Sequence, residues 1–423
     1  MRIPGSKYVA NRALLISALA RGSSVVSNIP ENGDIDLLVG MLRHAGVSVN
    51  SVDGTVRTLE IQGSAGRPGR TGSHFIDAGE SGTLLRFAAG FASLLDGETF
   101  ITAGFRNRQR PLEPLLKSLE ELGAEITRGP EQGGFPLGIS RGLKGGTTVI
   151  GGQYSSQFIS SLLLAAPYAD NDVEVKVTRP VVSSHYIDLT MGEMARYGVA
   201  VRHTADDNHE IFYVQAGQSY TGCNLTIPGD WSSVNCLLAA SLLLQKEIRV
   251  NGMNVMSNPA ESEFLAILEM MGCCTEVDCE SVTVKSCSTL RGIEVDMKDS
   301  PDSVLTLIPL ALAAEGTTVI RNIGHLIYKE SNRIHHAAHE LQKLGAEIET
   351  TIDSISVVGG RSLKTASVDA NNDHRLAMCL GLIELTNKGM KITGRDCVSK
   401  SFPEFWSYIG FIQEAGEKCL EIQ

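Results

Sequence analysis

The sequence predicts an α/β chain of two domains, each built from three copies of a strand–helix–strand–helix–strands unit. Three observations carry this. An apolar, helix-like run recurs six times, beginning near Arg12, Thr83, Gln157, Ser232, Asp302 and Arg375, each followed by a Gly or short polar turn and a β-rich run. A second, amphipathic run stops at Gly46, Gly123, Gly198, Gly272 and Gly345, at intervals of 77, 75, 74 and 73 residues. And 423 residues exceed what one ordinary core holds.

Each element has a local cause. In LEPLLKSLEEL the residues Leu112, Leu115, Leu116, Leu119 and Leu122 recur at helical spacing. Gly after such a run suits the left-handed cap that ends a helix. The tails VSVN, AEIT, VAVR and AEIE alternate as strands do. Six copies divide into three and three. The split is expected near Pro228–Asp230, with a second crossing close to Met1–Lys7, giving domains 6–227 and 228–423 plus 1–5. No low-complexity linker marks it, so a short hinge is expected.

The stretches opening the six apolar runs are polar: PGSKYVANR, AGESGTLLR, YSSQFISS, GDWSSVN, DSPDSVL and NNDHRLAM. A helix start presents unpaired N–H groups and positive dipole, and several converging starts make a cleft for anions. Arg and Lys gather there and in a few loops: Lys7, Arg12, Arg86, Arg106, Arg108, Arg110, Lys329, Arg333, Arg375 and Lys400. Arg forks grip carboxylate or phosphate in bidentate fashion, and Lys adds a point charge. Taken singly, each motif has an ordinary reading. RNRQR is a solvated loop, KESNR a helix with Lys329 and Arg333 as i,i+4 neighbours, SGT and SSQ are N-caps, and Asp302 opens a helix. Recurrence at equivalent places in a repeat favours the anion cleft.

Composition narrows the classes. Hydrophobic content of 43% with 20% charged residues describes a soluble globular chain. A net charge of −11 disfavours nucleic acid as partner. Nine scattered cysteines (Cys223, Cys236, Cys273, Cys274, Cys279, Cys287, Cys379, Cys397, Cys419) are odd in number and form no Cys-x-x-Cys pair, which fits a reduced cytoplasm. MRIPGSK is not a signal peptide, and no apolar run is long enough to span a bilayer. Gly-Lys and Gly-x-Gly never occur, which removes Walker A and Rossmann loops, and no metal-ligand spacing occurs. No cofactor and no metal are expected.

PGSKYVANRALLISALA, SGTLLRF, RPLEPLLKSLEELGAEI, SSQFISSLLLAAP, HYIDLTMGEM, SPD, KESNR, NDHRLAM and KSFPEF together resemble the 5-enolpyruvylshikimate-3-phosphate synthase family over essentially the whole chain. The resemblance implies a two-domain inverse α/β barrel, each domain of three βαβαββ repeats, with the active site in the interdomain cleft. It implies phosphoenolpyruvate-binding positions at Lys7, Gly82, Arg110, Gln157, Arg333, Arg375 and Lys400. Acceptor-binding positions fall at Arg12, Ser155, Ser156, Gln157, Ser183, Tyr186, Asp302, His325 and Lys329. Asp302 is implied as the base that takes the acceptor's hydroxyl proton, and Glu330, helped by Lys7, as the acid that protonates C3 of phosphoenolpyruvate. Small-molecule substrates, no membrane, no nucleic acid and a monomer are expected partners and state.

Three acceptor-side positions depart from the family: Tyr8 where it has Ser, Glu80 where it has Asn, and His325 where it usually has Asn. The chain also opens about fifteen residues late, which is expected to leave a sheet edge open. These departures raise two alternatives, transfer to another phosphorylated cyclic alcohol or a diverged ligand-binding paralogue without turnover. Transfer to UDP-N-acetylglucosamine is disfavoured, because the sister family's reactive Cys position holds Phe105.

Overall fold

The computed structural model describes residues 2–68, 72–140, 142–253, 259–416 and 420–422; Met1 and Cys419 lie outside them. The chain divides into two compact units, Ser6–Ile227 and Met1–Gly5 with Pro228–Gln423.

In the unit Ser6–Ile227 the repeat is visible as three sheets of the same pattern. Strand His74–Asp77 runs parallel to Glu98–Thr102, which pairs antiparallel with Phe135–Ser140, which pairs with Glu125–Glu131. Gly146–Gly151, Val173–Thr178, His209–Val214 and Arg202–Ala205 repeat this order. In the first sheet Ser23–Ser27, Thr58–Gln62 and Ser48–Val52 take the same places, but the leading parallel strand is Leu225–Thr226. The last strand of the unit therefore completes the first sheet. Strands such as Ser23–Ser27 bury alternate residues, as a one-sided sheet must.

The first helix of each repeat is apolar nearly all round, and such a helix is stable only when covered on every side. Helices Lys7–Leu19, Gly82–Ala92 and Ser156–Ala165 are accordingly buried along almost their whole length. Gly90 marks a close approach: a Cβ there would collide with Ser161 of the neighbouring helix.

The second unit repeats the logic. Helices Trp231–Leu243, Val304–Ala313 and His374–Thr386 pack against one another as its apolar centre. One sheet runs Leu420–Ile422, Ile248–Asn251, Ser281–Val284, Thr275–Val277, and the next Glu294–Asp296, Thr317–Arg321, Ile355–Val358, Glu347–Thr350. The third has two strands among the described residues, Ser367–Asp369 and Lys391–Thr393. The chain's start belongs here: Ile3 is in this core, Asp230 N–H donates to Pro4 O at 2.9 Å, and Gly5 bridges Gly229.

Five second helices end identically. Gly46, Gly123, Gly198, Gly272 and Gly345 all have φ between 78° and 107°. Each glycine N–H donates to the carbonyl three residues back, and the next N–H to the carbonyl five back, as Gly198 to Ala195 and Val199 to Met194 do at 2.9 Å. This is the Schellman cap, closed by a buried apolar pair such as Val199 on Met194.

Four local expectations are corrected. The first helix begins at Lys7, so Arg12 lies inside it, because the buried run starts a turn earlier than its leucines suggest. Asp302 sits in a turn before the helix, which starts at Val304. FRNRQ is a short helix, Phe105–Gln109, held by buried Asn107 donating to Gly79 O at 2.9 Å. Lys329 and Arg333 share no helix, because Lys329 ends the turn Gly324–Tyr328 and Asn332 caps a new helix at Arg333.

Candidate active site

In the unit Ser6–Ile227 the candidate residues collect at the starts of three buried helices. Ser81 and Ser155 cap two of them, accepting the N–H groups of Leu84 and Gln157. Gln157 reaches across from one start to the next, its Nε2 donating to Thr83 Oγ1 at 2.9 Å. Gly82 opens its helix directly beneath two guanidinium groups: a Cβ there would collide with Arg110 Nη1 and crowd Arg86 Nη1. Arg86 is held by backbone oxygens, Gly82 O at 3.0 Å and Pro111 O at 3.2 Å, and Arg110 donates to Asn107 Oδ1 at 3.3 Å.

Arg12 is the most constrained cation here. Its guanidinium donates to Thr190 Oγ1 (2.7 Å), Tyr8 O (2.9 Å), Tyr186 O (3.0 Å) and Ser160 Oγ (3.4 Å), and stacks 5.5 Å from the Phe87 ring. All these partners are uncharged. Burial pulls its pKa down to about 10 against the pull of Tyr186 and Glu193. Ser183 takes the left-handed backbone, φ 56°, just before helix His185–Arg196, and its carbonyl accepts the N–H of Tyr186. Ser156 is buried beside the Ser155 cap. Lys7 lies 3.8 Å from Asp34 and 5.4 Å from the centre of the Tyr8 ring, which tilts against Tyr186 at 5.0 Å.

In the second unit the candidates form one continuous charge network. Arg333 is its hub, 1% exposed. Its Nη1 donates to Asp302 Oδ1 (2.8 Å), Nη2 to Glu330 Oε2 (2.9 Å) and Nε to Asp373 Oδ2 (3.0 Å). Burial alone would lower its pKa, but Asp373, Glu330 and Asp302 outweigh burial and raise it. Lys400 Nζ takes Glu330 Oε1 at 2.9 Å, and Arg375 lies 3.5 Å from Asp302 while donating to Ser232 Oγ at 2.7 Å. His325 is buried nearby, with neither ring nitrogen hydrogen-bonded among the described residues. Burial, reinforced by Lys329 and opposed by Asp302, holds its pKa down at about 3, so the imidazole stays neutral.

The sequence thus named five members of this network, and the structure joins them: Asp302, Glu330, Arg333, Arg375 and Lys400. Asp373, in the NNDHR motif, was noted without a role; it is the fully buried cap of helix His374–Thr386 and accepts Arg375 N–H (2.9 Å) and Ser331 Oγ–H (3.0 Å). Its signal was its place, equivalent to the caps Ser81, Ser155 and Asp230. Glu261 had no signal. Its carboxylate accepts the Ser303 hydroxyl, while Glu263 accepts that of Ser300 at 2.9 Å, so the turn carrying Asp302 is tied on both sides. Glu330, Asp373 and His374 place ligand atoms within 4.8 Å of one another, as a metal site would. Arg333 and Lys400 already neutralise those two carboxylates, which leaves little charge for a cation.

Two triplicated α/β units, each gathering cations and caps at its helix starts, define a handler of small polyanions. The EPSP synthase (3-phosphoshikimate 1-carboxyvinyltransferase) family profile matches residues 1–409. Relatives named 3-phosphoshikimate 1-carboxyvinyltransferase include one from Methanoculleus marisnigri, 36% identical over 95% of this chain and 94% of its own. Another, from Shewanella halifaxensis, is 36% identical over 96% and 95%. A solved EPSP synthase from Acinetobacter baumannii has the same fold, with TM-score 0.79 at 24% identity over 97% of this chain and 95% of that one. The chain belongs to the EPSP synthase family.

Among the described residues no helix is long and apolar enough to cross a membrane.

Proposed function

We propose that this chain transfers the enolpyruvyl group of phosphoenolpyruvate to the 5-hydroxyl of shikimate 3-phosphate, releasing phosphate. The observation that carries the reading is Arg333 holding Asp302 and Glu330 at once, 2.8 and 2.9 Å away on its two terminal nitrogens. A base and an acid fixed on one buried cation are separated and oriented before substrate arrives.

Asp302 takes the proton of the acceptor hydroxyl as the hydroxyl oxygen attacks C2, while Glu330, in its protonated form and with Lys7, delivers a proton to C3. The tetrahedral intermediate then loses phosphate as C3 returns a proton, restoring the double bond. Arg110, Gln157, Arg333, Arg375, Lys400 and the N–H groups at Gly82 hold phosphoenolpyruvate. Ser155, Ser156 and Ser183 hold the acceptor's phosphate, Arg12 its carboxylate, and Tyr186, His325 and Lys329 its ring and hydroxyls. The same reading carries small-molecule partners without nucleic acid, a monomer and a cytoplasmic location.

The relatives' shared name favours shikimate 3-phosphate over another cyclic alcohol, and the complete Asp302–Glu330–Lys400 set favours turnover over mere binding. The test is phosphate release from phosphoenolpyruvate across a panel of phosphorylated cyclic alcohols. Release that requires shikimate 3-phosphate supports the reading. Release with another acceptor alone, or binding with no release, overturns it.

A further inference from the structure

We propose that His335 and His339 form a chelating site for a borderline divalent transition cation, of the Cu(II), Ni(II) or Zn(II) type, on the solvent face of helix Arg333–Lys343. The two residues are four apart, so they share a face one turn from each other. Their rings lie nearly parallel, 16° between planes, with centres 6.0 Å apart. Both residues are exposed, so the approach is open. The ring nitrogens of these two histidines donate and accept no hydrogen bond among the described residues. The Glu340 carboxylate stands 4.0 Å from His339 Nε2 and is already committed to Lys343 (2.7 Å) and the Asp369 N–H (2.8 Å).

The backbone beneath the pair is stiff. Asn332 caps the helix by accepting the His335 N–H at 3.1 Å, and Ile334, Ala337, Ala338 and Leu341 anchor the opposite face in the core. A chelate with bonds of about 2 Å therefore needs only ring rotation. Imidazole nitrogens select Cu(II), Ni(II) and Zn(II) over Mg²⁺ and Ca²⁺, which take oxygen ligands. His336, with its ring centre 5.5 Å from that of His335, flanks the pair but points off the shared face by one residue. This site differs from the Glu330–Asp373–His374 group, whose carboxylates Arg333 and Lys400 hold. A bound cation would clamp one turn of the helix whose first residue is Arg333, and binding to the folded state alone raises stability.

The experiment is calorimetric titration of the untagged full-length chain with Ni²⁺, paired with thermal unfolding with and without the ion. One saturable site per chain is expected, reversed by EDTA, with a rise in Tm that Mg²⁺ does not reproduce. H335Q and H339Q each weaken binding by about tenfold or more and remove the Tm rise, H336Q keeps both, and phosphate release without metal is unchanged in all three. Saturable binding that survives in the H335Q/H339Q double variant, an equal Tm rise with Mg²⁺, or no saturable binding would overturn the proposal.

Discussion

The two units solve opposite electrostatic problems with the same repeat. In Ser6–Ile227 the buried guanidinium of Arg12 donates to hydroxyls and carbonyls, with the Glu193 carboxylate acting on it only electrostatically. A guanidinium kept in place by neutral partners retains its charge for an incoming anion. In the second unit Arg333, Arg375 and Lys400 face Asp302, Glu330 and Asp373, three charges against three. That half is balanced before substrate arrives, and its carboxylates are the ones able to move protons. The first unit is built to attract, the second to react.

The sharpest way to break this contrast is to remove a carboxylate from the reacting half. D302N keeps shape and leaves Arg333 paired to Glu330 and Asp373, so the fold should survive while kcat falls roughly 10²–10⁴-fold. An unchanged rate in the phosphate-release assay would remove Asp302 from the chemistry. Next comes the hub itself. R333M leaves Asp373 buried without its cation and should cost about 3–5 kcal/mol in urea unfolding, far more than loss of an exposed pair such as Arg321–Glu294. A loss below 1 kcal/mol would show that the network is not the structural centre of its unit.

On the attracting side, G82A drives a methyl group into Arg110 Nη1. The KM for phosphoenolpyruvate should rise roughly 10–100-fold with the acceptor KM little changed. A rise confined to the acceptor KM would reverse the assignment of that helix start. A smaller effect tests the balance around His325. Its folded pKa, about 3, lies below the ordinary histidine value, so as pH falls the unfolded chain takes up a proton first. The stability this group contributes is present above about pH 6.5 and lost between there and about pH 3. H325N removes that dependence, and its stability relative to the parent should improve by about 2 kcal/mol between pH 7 and pH 5. Parallel stability curves for the two proteins over that range would contradict the neutral, buried imidazole. The smallest effect lies in the shared scaffold: Gly198 has open space around its missing Cβ but φ 85°, so G198A should cost about 1 kcal/mol from backbone strain alone.

The scaffold was legible because it is periodic. The stopping glycines appear in the sequence at near-constant spacing, and each turns out to close the same Schellman cap. The sixth copy breaks the pattern: helix Phe405–Glu414 ends at Ala415 in extended backbone, and Gly416, 71 residues after Gly345, does not take the left-handed turn of the other five. Helix starts were legible to within two residues except the first, which begins at Lys7, five residues before Arg12; neither Lys7 nor Val304 follows a side-chain cap. The site's cations were legible as residue types in motifs. Their partners were not, because Arg333 finds Asp302 and Asp373 across 31 and 40 residues of chain, and Glu261 finds Ser303 across 42. Pairings at that range depend on how repeats pack, which no single motif encodes.

The proposed assistance of Glu330 by Lys7 is tested most directly by a double-mutant cycle on kcat with K7M and E330Q. If Lys7 assists Glu330 at C3, the double variant should be no slower than the worse single variant, because groups acting as a unit are not additive. Losses that multiply, each variant subtracting its own full factor, would mean that the two side chains act separately.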